Sequence, residues 1–261
     1  MPGALRTIGI EPGRRAAMDR GDADPRTLVE SLAVDHAALL SRVLPGLGDA
    51  TLARLEEAGR LTAVARFRAT AEALLAGAGS GAYAVCAAHP ADTARAIAVF
   101  LRVELHRRSG APIGALLPDL RGFAADRGVS VREWAWLAAR PVLAVELREA
   151  LDELEPWTAM PEAPLRRFPL AALRPRARWS RSIPELLERP GLMRPHLDGL
   201  RLDPAPRVRR ALAEWIREAA RSDPAWARGL AERWLEQDPD APALRAVLRR
   251  ALGGLPGEPA G

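Results

Sequence analysis

Apolar residues recur along this chain at the three- and four-residue intervals of amphipathic helices. Between residues 27 and 44, one helical stripe contains Leu28, Leu32, Leu39, Leu40 and Val43. The same period predicts helices over five further segments: 49–76, 93–107, 130–144, 205–222 and 224–236. No segment shows the sustained alternation of a half-buried strand, so the pattern predicts an all-α protein.

Helix starts and chain ends are marked by different residue types. Aspartate accepts hydrogen bonds from free amides and proline tolerates the first helical turn, so an Asp-Pro pair predicts a helix start. Such pairs occur at Asp24-Pro25, Asp203-Pro204, Asp223-Pro224 and Asp238-Pro239. Residues 1–24 and 253–261 lack helical periodicity, and we expect both to be disordered tails. A single helical domain is predicted over 25–252.

One short pattern recurs: an aliphatic residue, an arginine, a variable position and a residue of buried type, at the opening of a helix. Copies begin at Val131, Leu165, Val208 and Leu244, which gives spacings of 34, 43 and 36 residues, and Thr93–Ala96 is a weaker early copy. Stacked helix pairs of HEAT type repeat at about 40–47 residues, and shorter helical repeats at about 34. The predicted fold is therefore an all-α, α-α superhelix, a HEAT-like repeat solenoid whose equivalent helices line one surface.

The repeated position holds arginine, so stacking predicts a basic stripe through Arg132, Arg166 and Arg209. All 38 basic residues of the chain are arginine, and none is lysine. The planar guanidinium group binds phosphate in bidentate geometry, which favours nucleic acid as a partner. The alternative, which the sequence leaves open, is that these arginines cap or bridge neighbouring repeats.

Charge changes sign sharply in the middle of the chain. Residues 144–162 contain six acidic residues and one arginine, whereas residues 163–181 contain six arginines and no acidic residue. This change predicts a localised basic surface, and phosphate contact is its functional interpretation. The arginines concerned are Arg166, Arg167, Arg174, Arg176, Arg178 and Arg181.

Several other chemistries are not favoured. The chain has one cysteine, Cys86, and four scattered histidines, so neither an internal disulfide nor a metal site is expected. No apolar run approaches eighteen residues, so no membrane span is expected, and no phosphate-binding loop or nucleophile elbow occurs. We expect a cytoplasmic protein that needs no cofactor; the sequence does not indicate its oligomeric state.

Residues 129–252 resemble the HEAT-like-repeat DNA alkylation repair proteins, a family that includes bacterial DNA glycosylases. The resemblance rests on Val131–Trp136, Leu173–Arg176 with Trp179, Val208–Arg210, Glu214–Ile216 and Asp223–Trp226. It implies a concave basic face that holds duplex DNA. In the family's enzymes the substrate is DNA with purines alkylated at N3 or N7.

Glu133, between Arg132 and Trp134, is the candidate catalytic carboxylate that this resemblance implies. An alkylated purine is already cationic, so its excision chiefly requires stabilisation of an oxocarbenium-like sugar, which a fixed carboxylate provides. An aromatic face stabilises a cationic base, and Trp136 is the candidate for this contact. Trp134 is expected in the core. The alternative is that Glu133 is a solvated glutamate near the helix start, stabilised by the helix dipole.

The helix after Val208 supplies the remaining candidate DNA contacts. Trp157, Trp179, Trp226 and Trp234 are expected to pack between helices. Some relatives carry an asparagine and an Asn-Asp pair where this chain has Glu214, Arg217 and Glu218. Three functions therefore stay open: an alkylpurine DNA glycosylase, a non-catalytic relative that binds DNA structures, and a protein–protein scaffold. The DNA contacts predicted in this helix are Arg209, Arg210, Trp215 and Arg217.

Overall fold

The computed structural model describes residues 9–253, apart from the side chain of Leu28. Within this range the chain forms sixteen α-helices and three short 3-10 helices, and no strand, which confirms the all-α class. No helix in the same range is long and apolar enough to cross a bilayer. The α-helices are α1 Pro12–Asp19, α2 Leu28–Ala33, α3 His36–Val43, α4 Asp49–Gly59, α5 Ala63–Gly77, α6 Gly81–Ala88, α7 Asp92–Ser109, α8 Leu117–Ala124, α9 Val129–Val145, α10 Leu147–Leu154, α11 Ala163–Ala172, α12 Pro184–Glu188, α13 Arg194–Leu200, α14 Pro206–Ala220, α15 Pro224–Gln237 and α16 Pro242–Leu252. The 3-10 helices are Ile113–Ala115, Glu155–Ala159 and Pro190–Met193.

The last four predicted helices correspond to α7, α9, α14 and α15, whereas the first two are each broken. The segment 27–44 divides into α2 and α3, because the Asp35 carboxylate accepts hydrogen bonds from the amides of Ala37 and Ala38 at 2.9 and 3.1 Å and starts a new helix. The segment 49–76 divides into α4 and α5. Part of the predicted tail 1–24 is helical, as α1; residues 1–8 and 254–261 lie outside the described residues.

Only one of the four Asp-Pro pairs begins a helix as predicted. The Asp223 carboxylate accepts a hydrogen bond from the Trp226 amide at 2.9 Å, and α15 begins at Pro224. After the other pairs the next helix begins two or three residues beyond the proline. The carboxylates of Asp203 and Asp238 instead accept hydrogen bonds from arginines 37 residues earlier. These aspartates therefore connect one repeat to the previous one.

The chain forms two compact units that divide between Ala139 and Arg140, within α9, where the sequence predicts a single domain. The core of the first unit contains an aromatic cluster of Phe67, Phe100 and Trp134, with ring centroids 4.1–6.1 Å apart. The Trp134 indole is fully buried and donates a hydrogen bond to the Ser31 hydroxyl at 3.0 Å. The predicted core position of Trp134 is confirmed.

In the second unit α11, α14 and α16 pack side by side, and α13 and α15 also pack on α14. The contacts between α11 and α14 join corresponding ends of the two helices. The start of α11 is joined to the loop before α14 by Arg166 and Asp203. Two residues after the end of α11, Arg174 is joined to Glu214 in the second half of α14. The two helices therefore run parallel, as equivalent helices of stacked repeats do.

Candidate functional site

The arginine of the repeat motif binds the loop that precedes its own helix. Arg166 Nη1 donates hydrogen bonds to the carbonyl oxygens of Met160 and Pro161, six and five residues earlier, at 2.9 and 2.7 Å. Equivalent contacts to carbonyls five or six residues earlier occur at Arg95, Arg132, Arg209 and Arg245. This recurrence agrees with the repeat found in the sequence, including the early copy at Thr93–Ala96.

Two motif arginines also bridge to the following repeat. Arg166 forms a bidentate ion pair with Asp203, at 2.6 and 3.2 Å, and Arg95 forms one with Asp126, at 2.8 and 3.0 Å. The hydrogen bond from Asp203 raises the pKa of Arg166. Capping and bridging, the alternative to a basic stripe, is thus the role that the structure shows for motif arginines. The DNA interface proposed below does not depend on Arg132, Arg166 or Arg209.

Three further predicted DNA contacts connect neighbouring helices of the second unit: Arg174, Arg176 and Arg217. Arg174 pairs with the Glu214 carboxylate at 2.9 Å. Arg176 donates to the Glu218 carbonyl at 3.1 Å and to the Ser222 hydroxyl at 2.8 Å. Arg217 donates to the Arg250 carbonyl. Glu214 therefore neutralises Arg174. Arg176 and Arg217 bind neutral oxygens here, so these contacts fix their positions without cancelling their charge.

The remaining predicted arginines differ in exposure. Arg178, Arg181 and Arg210 are exposed, whereas Arg167, in α11, is half-buried. No carboxylate among the described residues forms an ion pair with Arg178, Arg181 or Arg210. Arg207, which is not among the predicted DNA contacts, is likewise exposed in the first turn of α14. The second unit therefore presents uncompensated positive charge to solvent.

Trp215 is not a surface aromatic, and its prediction as a DNA contact is wrong. The side chain is 0% exposed, and its Nε1 donates a hydrogen bond to the Leu173 carbonyl at 2.9 Å. On α14 it continues the buried stripe of Val208, Leu212 and Ala219, with the spacing of one helical face. Arg210, Glu214 and Arg217 lie on the opposite face of the same helix, about 200° away.

In the first unit, Glu133 and Trp136 form one hydrogen-bonded pair on α9. The Trp136 Nε1 donates to a Glu133 carboxylate oxygen at 2.8 Å. Glu133 is half-buried and the Trp136 side chain is 9% exposed. No acidic residue lies in the first turn of α9, where the helix dipole acts most strongly. The indole therefore fixes the orientation of the Glu133 carboxylate. The alternative, a solvated glutamate stabilised by the helix dipole, would not need this hydrogen bond.

Trp179 differs from its predicted packing role. Trp157 is buried as predicted and packs against Phe168, with ring centroids 5.1 Å apart, but Trp179 is 37% exposed. It lies between α11 and α12, and the Arg178 guanidinium carbon is 5.1 Å from its ring centroid. Trp226, also predicted to pack, is half-buried against Trp215, and Trp234 is buried. Trp179 is therefore an exposed aromatic residue among arginines, which the sequence did not indicate.

Stacked parallel helices, each opening with an arginine that binds its own preceding loop, are typical of the HEAT-like repeat class. The chain matches a solved structure of the alkylpurine DNA glycosylase AlkC of Pseudomonas fluorescens, which is bound to DNA containing an abasic site analogue. The match has a TM-score of 0.65 at 19% identity and covers 83% of this chain and 60% of that chain. This likeness shows that the two proteins share a fold, and it confirms the HEAT-like repeat prediction.

Sequence comparison adds a second likeness, over a shorter part of the chain. The uncharacterized protein YhaZ of Bacillus subtilis (strain 168) is 28% identical over 102 residues, which are 39% of this chain and 29% of that protein. No family model matches the sequence. The present chain thus covers less than two thirds of the length of either protein.

Proposed function

We propose that the protein binds duplex DNA in DNA alkylation repair, as a glycosylase that excises purines alkylated at N3 or N7. The observation that carries this proposal is the fold shared, over 83% of the chain, with a glycosylase whose solved structure contains DNA. The exposed arginines of the second unit support it, because guanidinium groups that lack a carboxylate partner are available to phosphate oxygens.

In the proposed interface Arg178, Arg181 and Arg210 contact phosphates. They are exposed and have no carboxylate partner among the residues that the structure describes, so binding breaks no internal ion pair. Arg174 is the weaker candidate because Glu214 lies 2.9 Å from its guanidinium. Arg176 and Arg217 add positive charge while joining neighbouring segments of the second unit.

Glu133 is the proposed catalytic residue. When the bond between an alkylated purine and C1′ breaks, the electron pair goes to the cationic base and positive charge develops on the sugar. A water oxygen then bonds to C1′ and its proton passes to solvent, which leaves an abasic site. The Glu133 carboxylate supplies fixed negative charge for the developing cation, and Trp136 Nε1, at 2.8 Å, holds it in one orientation. Trp136, the predicted contact for the base, is 9% exposed, so in this proposal it positions the carboxylate and does not present a ring face to the base.

DNA binding is tested by its dependence on salt. The logarithm of the association constant for duplex DNA should fall linearly with the logarithm of salt concentration, with a slope of about −0.9 for each phosphate neutralised. Alanine at Arg178, Arg181 or Arg210 should each make the slope shallower by about that amount. The matched control is Arg68→Ala, an exposed arginine on α5 in the first unit. Absent or salt-independent binding contradicts the proposal and favours a protein–protein scaffold.

Catalysis is tested by the release of free alkylpurine from methylated duplex DNA. Glu133→Gln removes the charge but keeps an oxygen that accepts the Trp136 hydrogen bond, so we expect a loss of about a hundredfold or more in rate at unchanged DNA affinity. Glu153→Gln, at an exposed position on α10, is the matched control. Salt-dependent DNA binding without base release by the wild type would select the alternative of a non-catalytic DNA-binding protein.

A further inference from the structure

Residues 173–183, here called the Trp179 loop, connect α11 to α12 and are closed at the base. The Ile183 amide donates a hydrogen bond to the Pro175 carbonyl at 2.9 Å, and the Ile183 side chain is 2% exposed. At the other end, the Leu173 carbonyl accepts the hydrogen bond of the buried Trp215 indole. The two ends of the loop are therefore anchored in the core of the second unit.

A buried arginine holds the interior of this loop. Arg140 is 1% exposed and donates hydrogen bonds to the carbonyl oxygens of Ala172, Pro175 and Arg181, at 2.7, 3.4 and 3.0 Å. Burial lowers the pKa of Arg140 to about 10, so the guanidinium remains charged near neutral pH. No carboxylate pairs with it among the described residues. A buried cation without an ionic partner is costly, and the loop carbonyls are what compensate it.

Two further arginines fasten the first half of the loop to α14. Arg174 pairs with the Glu214 carboxylate at 2.9 Å, and Arg176 donates to the Glu218 carbonyl and the Ser222 hydroxyl at 3.1 and 2.8 Å. The loop is thus held at both ends and along one side. What it presents outward is the tip, where Arg178, Trp179 and Arg181 are exposed.

Trp179 at the tip has an unfavourable backbone conformation and an unfavourable environment. Its φ angle is +61°, in the left-handed region that bulky residues rarely adopt. Its indole is 37% exposed, although an indole is stabilised by burial. Strain of this kind persists only where surrounding contacts impose it, and it is concentrated at sites that bind or react. The clamped base of the loop supplies those contacts.

The chemistry of the tip fits a nucleic acid. An indole ring stacks on any nucleobase, and neighbouring guanidinium groups bind the phosphates on either side. The Arg178 guanidinium lies over the ring, and Arg181 is exposed two residues further along the loop. Neither pairs with a described carboxylate, so an anionic ligand is favoured over an uncharged protein surface. In an intact duplex both faces of each base are covered by neighbours. A ring that enters from outside must unstack an intact duplex, which costs free energy, so it stacks more readily where the base stack is already interrupted.

We propose that Trp179 stacks on a nucleobase exposed at an interruption of the duplex, while Arg178 and Arg181 bind the flanking phosphates. This inference rests on the DNA binding proposed above and adds a residue that distinguishes interrupted from intact DNA. In this proposal Trp179 binds DNA and takes no part in bond cleavage, for which Glu133 is the proposed catalytic residue.

The test measures the affinity of the full chain for two labelled duplexes that differ by one unpaired adenine. Wild type should prefer the interrupted duplex. Trp179→Ala should lose about tenfold in affinity for it, with little change for the intact duplex and an unchanged salt slope. Trp179→Phe retains an aromatic face and should keep most of the preference. Leu202→Ala, at a 48% exposed leucine of the same unit, is the matched control.

The outcomes separate the two proposals. Salt-dependent DNA binding by the wild type, with Trp179→Ala keeping the wild-type affinity for both duplexes, overturns the role of Trp179 and leaves the proposed function standing. An absence of DNA binding by the wild type overturns both. Stacking is supported if Trp179→Ala loses the preference for the interrupted duplex and Trp179→Phe keeps it. Circular dichroism should show that all variants are folded.

Discussion

Arg166 and Asp203, 37 residues apart in the sequence, form a bidentate ion pair with N–O distances of 2.6 and 3.2 Å. The pair joins the start of α11 to the loop before α14, and the Asp203 side chain is 2% exposed. Arg166 also closes its own preceding loop through the carbonyls of Met160 and Pro161. One side chain therefore holds two successive repeats in register, and its contact with its own preceding loop is the one that recurs at the other motif arginines.

Removing this pair should destabilise the fold. Asp203→Ala leaves a largely buried guanidinium without its carboxylate, and we expect a loss of about 3 kcal/mol in the free energy of unfolding. In a double-mutant cycle with Arg166→Ala, the sum of the stability losses in the two single mutants should clearly exceed the loss in the double mutant. The exposed pair of Arg148 and Glu185 is the control, with an expected coupling below about 1 kcal/mol. Equal coupling energies for the two pairs contradict the bridging role.

The helices and the repeat could be predicted because they depend on local periodicity. The arginine contact with its own loop spans only five or six residues, so it recurs wherever the motif does. The partner of each arginine could not be predicted, since Asp203 lies 37 residues beyond Arg166 and its pairing depends on how the repeats stack. A charge count alone cannot separate such paired arginines from exposed ones such as Arg178.

The two tryptophan errors have different causes. The stripe of Val208, Leu212 and Ala219 already indicated that Trp215 faces the core, but the resemblance to DNA-contacting relatives outweighed this signal. Trp179 lies in a stretch without helical period, where arginine alternates with other residues from 174 to 178. The exposure of Trp179 depends on the hydrogen bonds that Arg140 donates to the loop, among them one to the Arg181 carbonyl, 41 residues later in the chain. No local pattern in the sequence indicates such a contact.

Trp215 should matter for stability and not for DNA contact. Trp215→Phe keeps most of the buried ring but leaves the Leu173 carbonyl without its donor, so we expect a loss of about 1–3 kcal/mol. Chemical denaturation measures this loss. The affinity of the folded variant for intact duplex DNA should match wild type. A variant of unchanged stability and weakened binding would restore the surface role.

Two buried histidines should make stability depend on pH. Burial, with a smaller effect of Arg66, lowers the pKa of His36 to about 3, and burial lowers that of His196 to about 4. Between these values and the ordinary pKa near 6.5, the unfolded chain binds protons that the folded chain excludes. Stability should therefore be complete above about pH 6.5 and fall as the pH decreases below it.

The expected loss between pH 7 and pH 5 is about 2 kcal/mol for each histidine. Urea denaturation at the two pH values measures it. His36→Gln and His196→Gln are expected to lower stability at pH 7, because each site is packed, but each should also remove its share of the pH dependence. A pH dependence that is the same in wild type and in both variants contradicts the assignment.

Cys86 should be inert in the folded protein. Its side chain is 0% exposed, and burial raises the pKa of the thiol to about 12. Because the thiolate is the reactive form, both access and ionisation oppose modification near neutral pH. Labelling with a thiol reagent should proceed only as fast as the first unit opens, and it should be complete in denaturant. Rapid labelling under native conditions contradicts the buried position.

Replacing Trp179 by glycine should give a more stable protein than replacing it by alanine, but both variants should bind interrupted DNA weakly. A φ of +61° is strained for tryptophan and allowed for glycine, and relief of this strain outweighs the larger entropy of the unfolded glycine chain. We expect Trp179→Gly to be about 0.5–1 kcal/mol more stable than Trp179→Ala, which keeps the strained backbone without the ring. Both variants should bind interrupted duplex DNA more weakly than wild type, because both lack the aromatic face. If the tryptophan is purely structural, both variants should be less stable than wild type, and DNA affinity should be unchanged in the fraction that stays folded. Thermal unfolding and DNA titration on the same samples distinguish the two roles.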